Sequence, residues 1–410
     1  MFNFIYPKLN AFGLDISDRS LKVARIEENT KKDQLSLASY GLFNLDPGLM
    51  EGGRVIDKEK LAVAIQSAVQ KVKIRTKATI VALPEEQCFV RLVQLPPMPE
   101  KEISEAVASE TEGNIPLPID DVYYDWRIIT KPEASTGGQA SDPKHFDILV
   151  AATPKIVVEE YEDLIKSAGL LPIVFEPESF AIARSVLRRH ISYSPLLIVD
   201  LGDTHTTLAI ISGTSIRVTA SVSAASGSFT QLISTALKIT VPEAEKVKQL
   251  HGISQQGEGA KVFKALQDPI EDLLHQIKGY LAFYASHSFH EHQVWTLAVK
   301  VPEVKSMGTF DFRPVSRGEV LMGRNSEGGE EVVSRTPLTG ISRVFLTGGG
   351  ANLAGLPEYL SANLKISVQR ADPFINIVPP AKHKTGIFSF DALTFSTVFG
   401  LAMRKPESFL

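Results

Sequence analysis

The chain reads FGLDISDRSLKVARI from Phe12 to Ile26 and IVDLGDTHTTLAII from Ile198 to Ile211. Each stretch alternates apolar and polar residues on both sides of a short turn, which predicts two strands joined as a hairpin. When the stretches are aligned, Asp15 falls opposite Asp200. A repeat with this very long period predicts two halves that fold alike.

The composition around these hairpins is that of an ordinary globular protein. Of 410 residues, 43 are Lys or Arg and 47 are Asp or Glu, which gives a formal net charge of -4. This balance disfavours a chain whose main task is to bind nucleic acid. The single cysteine, Cys88, excludes an internal disulfide and a cysteine-based zinc site, and indicates a reducing cytoplasm. No apolar run is long enough to span a membrane.

Helical patterns follow each hairpin. Apolar spacing predicts a helix from Asp57 to Arg75 with Asp57 as its N-cap, and a helix that ends at Gly169. A third helix is predicted from Asp268 to Phe289. The stretch from Glu291 to Ser342 has weak periodicity, and we expect an inserted hairpin or a partly disordered loop there.

The acidic turns have the composition of a phosphate site. Consecutive backbone N–H groups in a tight turn can bind an anion, and Asp15 and Asp200 are carboxylates of the kind that magnesium accepts. The glycine run Gly348–Gly350 allows backbone to approach a ligand closely. Glu245 and Lys248 are three residues apart on one predicted helix and therefore share a face. Together these features predict a nucleotide site between the two halves.

Other candidate sites have simpler interpretations. His287, His290 and His292 near a helix end are expected to be surface histidines, because cations are favoured at helix C-termini. Cys88 in a strand is expected to be a small buried side chain and not a nucleophile. The sequence has no GxxxxGK[ST] run, which excludes a P-loop.

The order of hairpin, EPESFAIAR, second hairpin, AEKVKQLHG and GGGANLAGLP resembles the actin-like ATPase superfamily. Within it the chain is similar to the PilM family of type IV pilus assembly proteins, which is related to the FtsA proteins of cell division. The most specific stretch is MPEKEISEAVASETEGNIPLPIDDVYYDW. The resemblance covers almost the whole chain except Glu291 to Ser342.

The resemblance implies an α/β, actin-like (ribonuclease H-like) two-lobed fold with an inserted α+β subdomain, also called an SHS2 domain. The implied domains are 1–77 and 176–195 for the first lobe (1A), 78–175 for the inserted partner-binding subdomain (1C), 196–240 and 342–410 for the core of the second lobe (2A), and 241–341 for its helical subdomain with the insert (2B).

The resemblance also implies a site for ATP or ADP with Mg²⁺. Asp15 and Asp200 would hold the metal through water, and Glu176, in the helix that begins at EP, would polarise the attacking water. The implied cofactor-binding residues are Ser17, Asp18, Lys22, Gly202, Asp203, Thr204, Thr206, Glu245, Lys248, Gly348, Gly349, Gly350 and Asn352.

One departure from the family concerns the acidic turns. Ser17 replaces the usual glycine, while Asp18 and Asp203 add two further acids. Unit charges 4 Å apart repel by about 4 kcal/mol at an effective dielectric near 20. We therefore expect nucleotide binding with at most slow Mg-dependent ATPase activity.

By resemblance, the biological role is that of a cytoplasmic scaffold. It would bind the N-terminal cytoplasmic peptide of PilN, a membrane protein, beside the inserted subdomain, and link the inner-membrane pilus platform to the motor ATPases. It would lie at the inner membrane through this partner, and self-association into a homo-oligomer is left open. The alternative is an FtsA-like, membrane-associated, filament-forming ATPase, although the tail from Met403 to Leu410 is too short for an amphipathic anchor.

Overall fold

The computed structural model describes residues 10–29, 34–132, 145–224, 226–254, 256–287, 340–379 and 392–404, together with the backbone of 320–324 and 330–335. The strands are β1 (Phe12–Ile16), β2 (Ser20–Asn29), β3 (Gln34–Asn44), β4 (Met50–Glu51), β5 (Arg54–Val55), β6 (Ala78–Leu83), β7 (Phe89–Leu95), β8 (Val122–Thr130), β9 (Phe146–Pro154), β10 (Leu171–Pro177), β11 (Ser192–Leu201), β12 (Thr206–Gly213), β13 (Ser215–Val222), β14 (Val320–Arg324), β15 (Glu330–Arg335), β16 (Arg343–Thr347), β17 (Ser367–Arg370) and β18 (Ile377–Val378). The helices are α1 (Lys58–Lys71), α2 (Glu100–Asn114), α3 (Lys155–Ser167), α4 (Glu178–Val186), α5 (Ser226–Leu237), α6 (Val241–His251), α7 (Gly257–His287), α8 (Leu356–Leu364) and α9 (Ser396–Met403).

Two sheets follow the same plan. The first contains the order β10-β6-β1-β2-β3 and the second the order β17-β16-β11-β12-β13. In the first sheet, β1 carries Asp15 and pairs antiparallel with β2 and parallel with β6. In the second sheet, β11 carries Asp200 and pairs antiparallel with β12 and parallel with β16. The internal repeat read from the sequence therefore corresponds to a duplicated sheet.

Each sheet buries its own apolar core. Leu14, Leu21 and Leu61 are fully buried in the first half, and Leu208 and Leu346 in the second. Strand β1 and the part of β11 from Leu196 to Leu201 are apolar except for Asp15 and Asp200, as is usual for central strands of α/β sheets that are covered on both faces. These rigid strands fix the acidic turns at their ends.

The inserted module extends the second sheet. Strands β7, β9 and β8 follow β13 in the sheet order, and Val218 of β13 pairs with Arg91 of β7. Strand β8 is consequently an edge strand. The division into domains stays a prediction, but β6, which it assigned to the insert, lies in the centre of the first sheet between β10 and β1.

The end of the chain crosses back to the first sheet. Strand β18 pairs with β3, and Val398 and Phe399 of α9 share a core with Ala24 and Leu37. The expected division placed this segment with the second lobe. Sequence periodicity marks which face of α9 is apolar and carries no information about which sheet that face meets.

Two local predictions for helix ends are confirmed, the start of α1 and the end of α3, whereas α1 ends at Lys71 and not at Arg75. The Asp57 side chain accepts a hydrogen bond from the Lys60 amide at 3.1 Å, which caps α1. Gly169 follows α3 with a φ of +72°, the left-handed conformation that glycine adopts without strain.

Helix α7 is longer than expected. It begins at Gly257, not at Asp268, and continues through Pro269. Proline removes one backbone donor from a helix interior. Here Val262 and Leu266 before the proline and Ile270 after it are all fully buried, so packing of one continuous stripe outweighs that loss.

The predicted insert between Glu291 and Ser342 falls mostly outside the described residues. Its described parts, β14 and β15, form an antiparallel pair, as expected for a hairpin. Within the described ranges, no helix combines the length and apolar character needed to cross a bilayer.

Candidate nucleotide site

The two hairpin turns face each other across a narrow gap. Arg19, in the turn between β1 and β2, lies 3.3 Å from Asp203, in the turn between β11 and β12, measured from Nε to Oδ2. Because one ion pair spans the gap, both turns are close enough to contact the same chain of phosphate groups.

The first acid of the predicted site is paired with the predicted lysine. Asp15 and Lys22 are opposite each other in the β1–β2 ladder, and Lys22 Nζ donates to Asp15 Oδ2 at 2.9 Å. Both are buried. Burial alone would lower the pKa of Lys22, but the adjacent Asp15 carboxylate outweighs it and raises that pKa. Lys22 is therefore a charged group at neutral pH.

The second acid, Asp200, lies in a more negative environment. Burial raises the pKa of Asp200 to about 7, and the Glu178 carboxylate adds to the rise. A cation or donor beside Asp200 would stabilise its ionised form. A Cβ atom on Gly348, which has a φ of +78°, would lie 2.6 Å from Asp200 Oδ1, so this position requires glycine.

Magnesium would rely on water and phosphate here. The described residues contain no group of three or more His, Cys, Asp or Glu side chains that could hold a metal ion directly. Two carboxylates, Asp15 and Asp200, fit a magnesium ion that keeps most of its waters. The metal role of Asp15 and Asp200 stays a prediction.

The two additional acids are engaged elsewhere. Asp18 accepts hydrogen bonds from the amides of Gly52 and Gly53 at 3.0 and 3.1 Å, and Asp203 is paired with Arg19. Of the four carboxylates inferred from the sequence, Asp15 and Asp200 remain without these partners, and the Glu178 carboxylate lies near both of them.

Ser17 and Gly202 shape the turns. The Ser17 hydroxyl donates within its own turn to the carbonyl of Ser20 at 3.1 Å. A Cβ atom on Gly202 would lie 2.7 Å from the carbonyl oxygen of His205, so the second turn needs a glycine.

The hydroxyls at the start of β12 differ in their partners. Thr206 Oγ1 donates to the carbonyl of Ala224, which ties β12 to the segment before α5. Thr207 Oγ1 is buried and has no hydrogen-bond partner among the described residues. Thr207 pairs with Asp200 in the ladder, so this hydroxyl adjoins the acid predicted to associate with the metal.

The structure contradicts the role expected for Glu176. Arg184 donates to both Glu176 carboxylate oxygens, at 2.7 and 2.9 Å, and Arg404 also bonds to one of them. Although burial raises the pKa of Glu176, the two guanidinium groups outweigh it and lower that pKa. A buried carboxylate with these partners holds β10, α4 and the end of α9 together and is not available to polarise water.

Glu178 takes a place near the phosphate turns that sequence reasoning did not assign. It begins α4, and its Oε2 lies 3.3 Å from His205 Nε2. Burial lowers the pKa of His205, but the bond to Glu178 and its charge raise it to about 9. His205 is thus an imidazolium at neutral pH, with Thr204 Oγ1 3.3 Å from its Nδ1.

Glu245 and Lys248 form a polar group between α5 and α6. Lys248 Nζ lies 2.7 Å from both Glu245 Oε2 and Thr230 Oγ1, and Thr230 donates to Glu245 at 2.6 Å. Burial raises the pKa of Glu245, but Lys248 and Thr230 outweigh it and lower that pKa. The charged, partly exposed carboxylate can accept from a ribose hydroxyl.

The glycine loop joins the two ends of the site. A Cβ atom on Gly350 would lie 2.8 Å from Leu201 Cβ, in the strand that carries Asp200, whereas one on Gly349 would meet only Thr394 at 3.7 Å. The loop continues as a 3-10 turn to Asn352, whose Oδ1 is buried with no hydrogen-bond partner among the described residues.

The structure thus brings the predicted phosphate and adenosine residues, apart from Glu176, to the facing turns, the glycine loop and α6. Their binding roles remain predictions. Sequence reasoning missed Glu178, His205 and Thr207. Thr207 directly follows a predicted site threonine, but adjacent side chains of a strand point to opposite faces, so its position in the sequence did not indicate a place beside Asp200.

Comparisons with known proteins identify the fold and the family. A PilM-PilN type IV pilus biogenesis complex of known structure is similar at 22% identity, with a TM-score of 0.72, over 98% of this chain and 100% of that chain. MreB5 of Spiroplasma citri, solved bound to AMPPNP, is similar at 12% identity, with a TM-score of 0.50, over 95% and 94% of the two chains. These likenesses establish the actin-like ATPase fold. A family model described as type IV pilus assembly protein PilM matches residues 13–298 and 332–406. The chain therefore belongs to the PilM family of type IV pilus assembly proteins.

Proposed function

We propose that this chain is a nucleotide-binding scaffold of type IV pilus assembly that binds the N-terminal cytoplasmic peptide of a PilN-like membrane protein. The scaffold would thereby lie at the inner membrane and link the pilus platform to the motor ATPases. Family membership supports the pilus role, and the PilM-PilN complex among the similar structures supports the choice of partner.

A cavity beside the inserted module carries the proposal. Its volume is 240 Å³, and it lies between Arg127 of the edge strand β8, the residues Leu187 and Ile191 after α4, and Ile211 and Ile216 of the β12–β13 hairpin. An edge strand has unpaired backbone groups that can add an extended peptide, and an apolar wall can receive alternate side chains of that peptide. The cavity and the edge strand together suit a short extended segment.

The nucleotide would be ATP or ADP with Mg²⁺, bound between the facing turns. Lys22 and the glycine loop would contact it, and Asp15 and Asp200 would position the metal through water. We propose that binding is the main role of this site, with slow hydrolysis, because the residue expected to polarise water is held by Arg184 and Arg404.

A peptide titration tests the partner site. A fluorescent N-terminal peptide of the PilN-like protein should bind the full chain, and Ile191→Glu should weaken it at least about 10-fold because a charge enters an apolar wall. Ile156→Glu is the matched control, since Ile156 is exposed on α3 and does not line the cavity. Equal affinity of wild type and Ile191→Glu would exclude this cavity, and no binding by wild type would refute the partner role.

A further inference from the structure

The amino ends of strands β11, β16 and β17 lie together at one edge of the second sheet. These strands are parallel, with Leu196 beside Arg343 and Arg343 beside Ser367. Their neighbour β12 ends at the same edge, because Gly213 pairs with Ser192 at the start of β11. The acidic turn follows the other end of β11, which is about 30 Å away for a strand of ten residues. This edge is therefore separate from the proposed nucleotide site.

The exposed charges at this edge are positive. The segments that meet here are 187–196, 211–217, 341–345 and 364–369, and they contain no Asp or Glu in a chain whose formal net charge is -4. Four cationic side chains of these segments are exposed and together form the basic edge: Arg188, Arg189, Arg343 and Lys365. Within the part of the chain that the structure describes, none of these four side chains is in an ion pair. Their charge is therefore available to an anion from outside the chain.

The backbone that carries the two adjacent arginines is fixed. Arg189 and His190 have φ values of 54° and 60°, in the left-handed region that residues with a Cβ atom rarely adopt. The Asn376 side chain holds this turn: its Oδ1 accepts from the Arg189 amide at 3.0 Å, and its Nδ2 donates to the Leu187 carbonyl at 2.7 Å. Because the turn is held before any ligand binds, little backbone entropy is lost when an anion contacts the arginines.

A broad anionic surface fits the basic edge better than a single small anion does. The four cations come from three separate segments, so they are spread along the edge and not gathered in one loop. Tyr193, the second residue of β11, is 71% exposed beside them. Tyrosine rings are favoured at the boundary between water and lipid, and Lys and Arg are attracted to anionic headgroups. This combination of basic and aromatic side chains is typical of a contact with a membrane surface.

The cavity proposed for the partner peptide adjoins the basic edge. Arg189, His190 and Ile191 line this cavity. Because the proposed partner is a membrane protein whose N-terminal peptide would enter the cavity, peptide binding would hold the basic edge close to the bilayer. Two contacts with one membrane reinforce each other, since the first raises the effective concentration of the second.

We propose that the basic edge, together with Tyr193, binds the headgroups of an anionic lipid bilayer. The inference rests on the proposed function and adds a direct lipid contact to the contact that the partner peptide makes. The attraction acts between exposed charges and is screened by ions, so lipid binding weakens as the salt concentration rises.

Co-sedimentation of the full chain with vesicles, in the absence of any partner peptide, tests the inference. Wild type should bind vesicles of phosphatidylcholine with phosphatidylglycerol at least about 10-fold more tightly than vesicles of phosphatidylcholine alone. The double variant Arg188→Glu with Arg343→Glu should lose at least about 10-fold in affinity for the anionic vesicles. Neither residue lines the cavity, so this variant should bind the peptide as wild type does. The matched control is Lys246→Glu with Lys278→Glu, at exposed positions of α6 and α7, which changes the net charge equally and should stay within about 2-fold of wild type.

The outcomes separate the inference from the proposed function. Equal binding of wild type to both kinds of vesicle, or equal losses in the two double variants, would overturn the lipid contact while peptide binding stands. Binding to anionic vesicles by a wild type that does not bind the peptide would refute the partner role and leave the lipid contact standing. Thermal unfolding of each variant identifies a folding defect. In that case Arg188→Gln with Arg343→Gln decides, since it removes the two charges without adding acids and should still weaken vesicle binding.

Discussion

At the scale of single residues, the buried ionised side chains divide into a structural group and a group that faces the proposed ligand. The Glu176 carboxylate is enclosed with Arg184 and Arg404. Removing one partner of a buried ion pair leaves the others uncompensated and costs about 3–5 kcal/mol. We expect Glu176→Gln to lower the free energy of unfolding by about 3 kcal/mol or more, measured with urea.

The control for this prediction is an exposed pair on α3. Glu162→Gln breaks the ion pair with Lys166, both of them well exposed, and should change stability by less than about 1 kcal/mol. A Glu176→Gln protein as stable as Glu162→Gln would contradict this prediction, because it would show that the buried pair contributes little to the free energy of unfolding.

His205 makes stability depend on pH in a defined window. Its pKa in the folded protein is about 9, above its ordinary value of 6.5. A raised pKa means that the folded state binds the proton more tightly, so the stabilisation is complete below pH 6.5 and is lost as pH rises through 9. His205→Asn should therefore destabilise the protein more at pH 6.5 than at pH 9, measured by thermal unfolding. A pH-independent difference would contradict this charge state.

Particular residues show what the sequence could predict about the site. The acidic turns and the glycine run were predictable because turn chemistry is local, and the structure places Asp15, Asp200 and Gly348 together. Glu176 and Glu178 are two residues apart on opposite sides of Pro177, where strand β10 changes into helix α4. Which of the two faces the turns depends on that change of direction, and spacing does not reveal it.

At the scale of elements, close backbone contact fixes how α4 meets α9. A Cβ atom on Gly400 would lie 1.7 Å from the Ala181 carbonyl oxygen, so the helices touch without side chains between them. Gly400→Ala must push them apart, and we expect a loss of about 1–3 kcal/mol in the free energy of unfolding.

Replacement of Gly279 by alanine is expected to have the opposite effect on stability. It lies on the exposed side of α7, and a Cβ atom there would meet nothing within 4 Å. Gly279→Ala should stabilise by about 0.5–1 kcal/mol, because alanine loses less backbone entropy in a helix. If both substitutions had the same sign, contact at Gly400 would not be the controlling term.

The sequence did not predict which elements contact each other when they are distant in the chain. Helix and strand patterns identified α1, α3 and the hairpins because those signals are periodic and local. The crossing of α9 to the first sheet and the pairing of β7 with β13 join segments far apart in the chain. Neither contact produces a periodic pattern in the sequence, so only the structure shows where α9 and β7 pack.

At the scale of the whole molecule, α4 connects the two proposed sites. Glu178 at its start contacts His205 beside the phosphate turns, while Ala183 and Arg184 near its end line the cavity beside β8. All nine of its residues are buried. A short helix packed on all sides transmits displacement from one end to the other, because packed interiors yield little.

Coupling between nucleotide and peptide tests this role of α4. We expect Mg-ATP to change the peptide Kd by at least about 5-fold, and the peptide must then change the ATP Kd by the same factor, because binding linkage is reciprocal. Glu178→Gln removes the charge that holds His205 and should bring this factor closer to one, whereas Glu162→Gln on α3 should leave it unchanged. If the peptide Kd were the same with and without ATP, α4 would be a shared wall of two independent sites. A factor that persists in Glu178→Gln would place the coupling in another element, such as the pairing of β7 with β13.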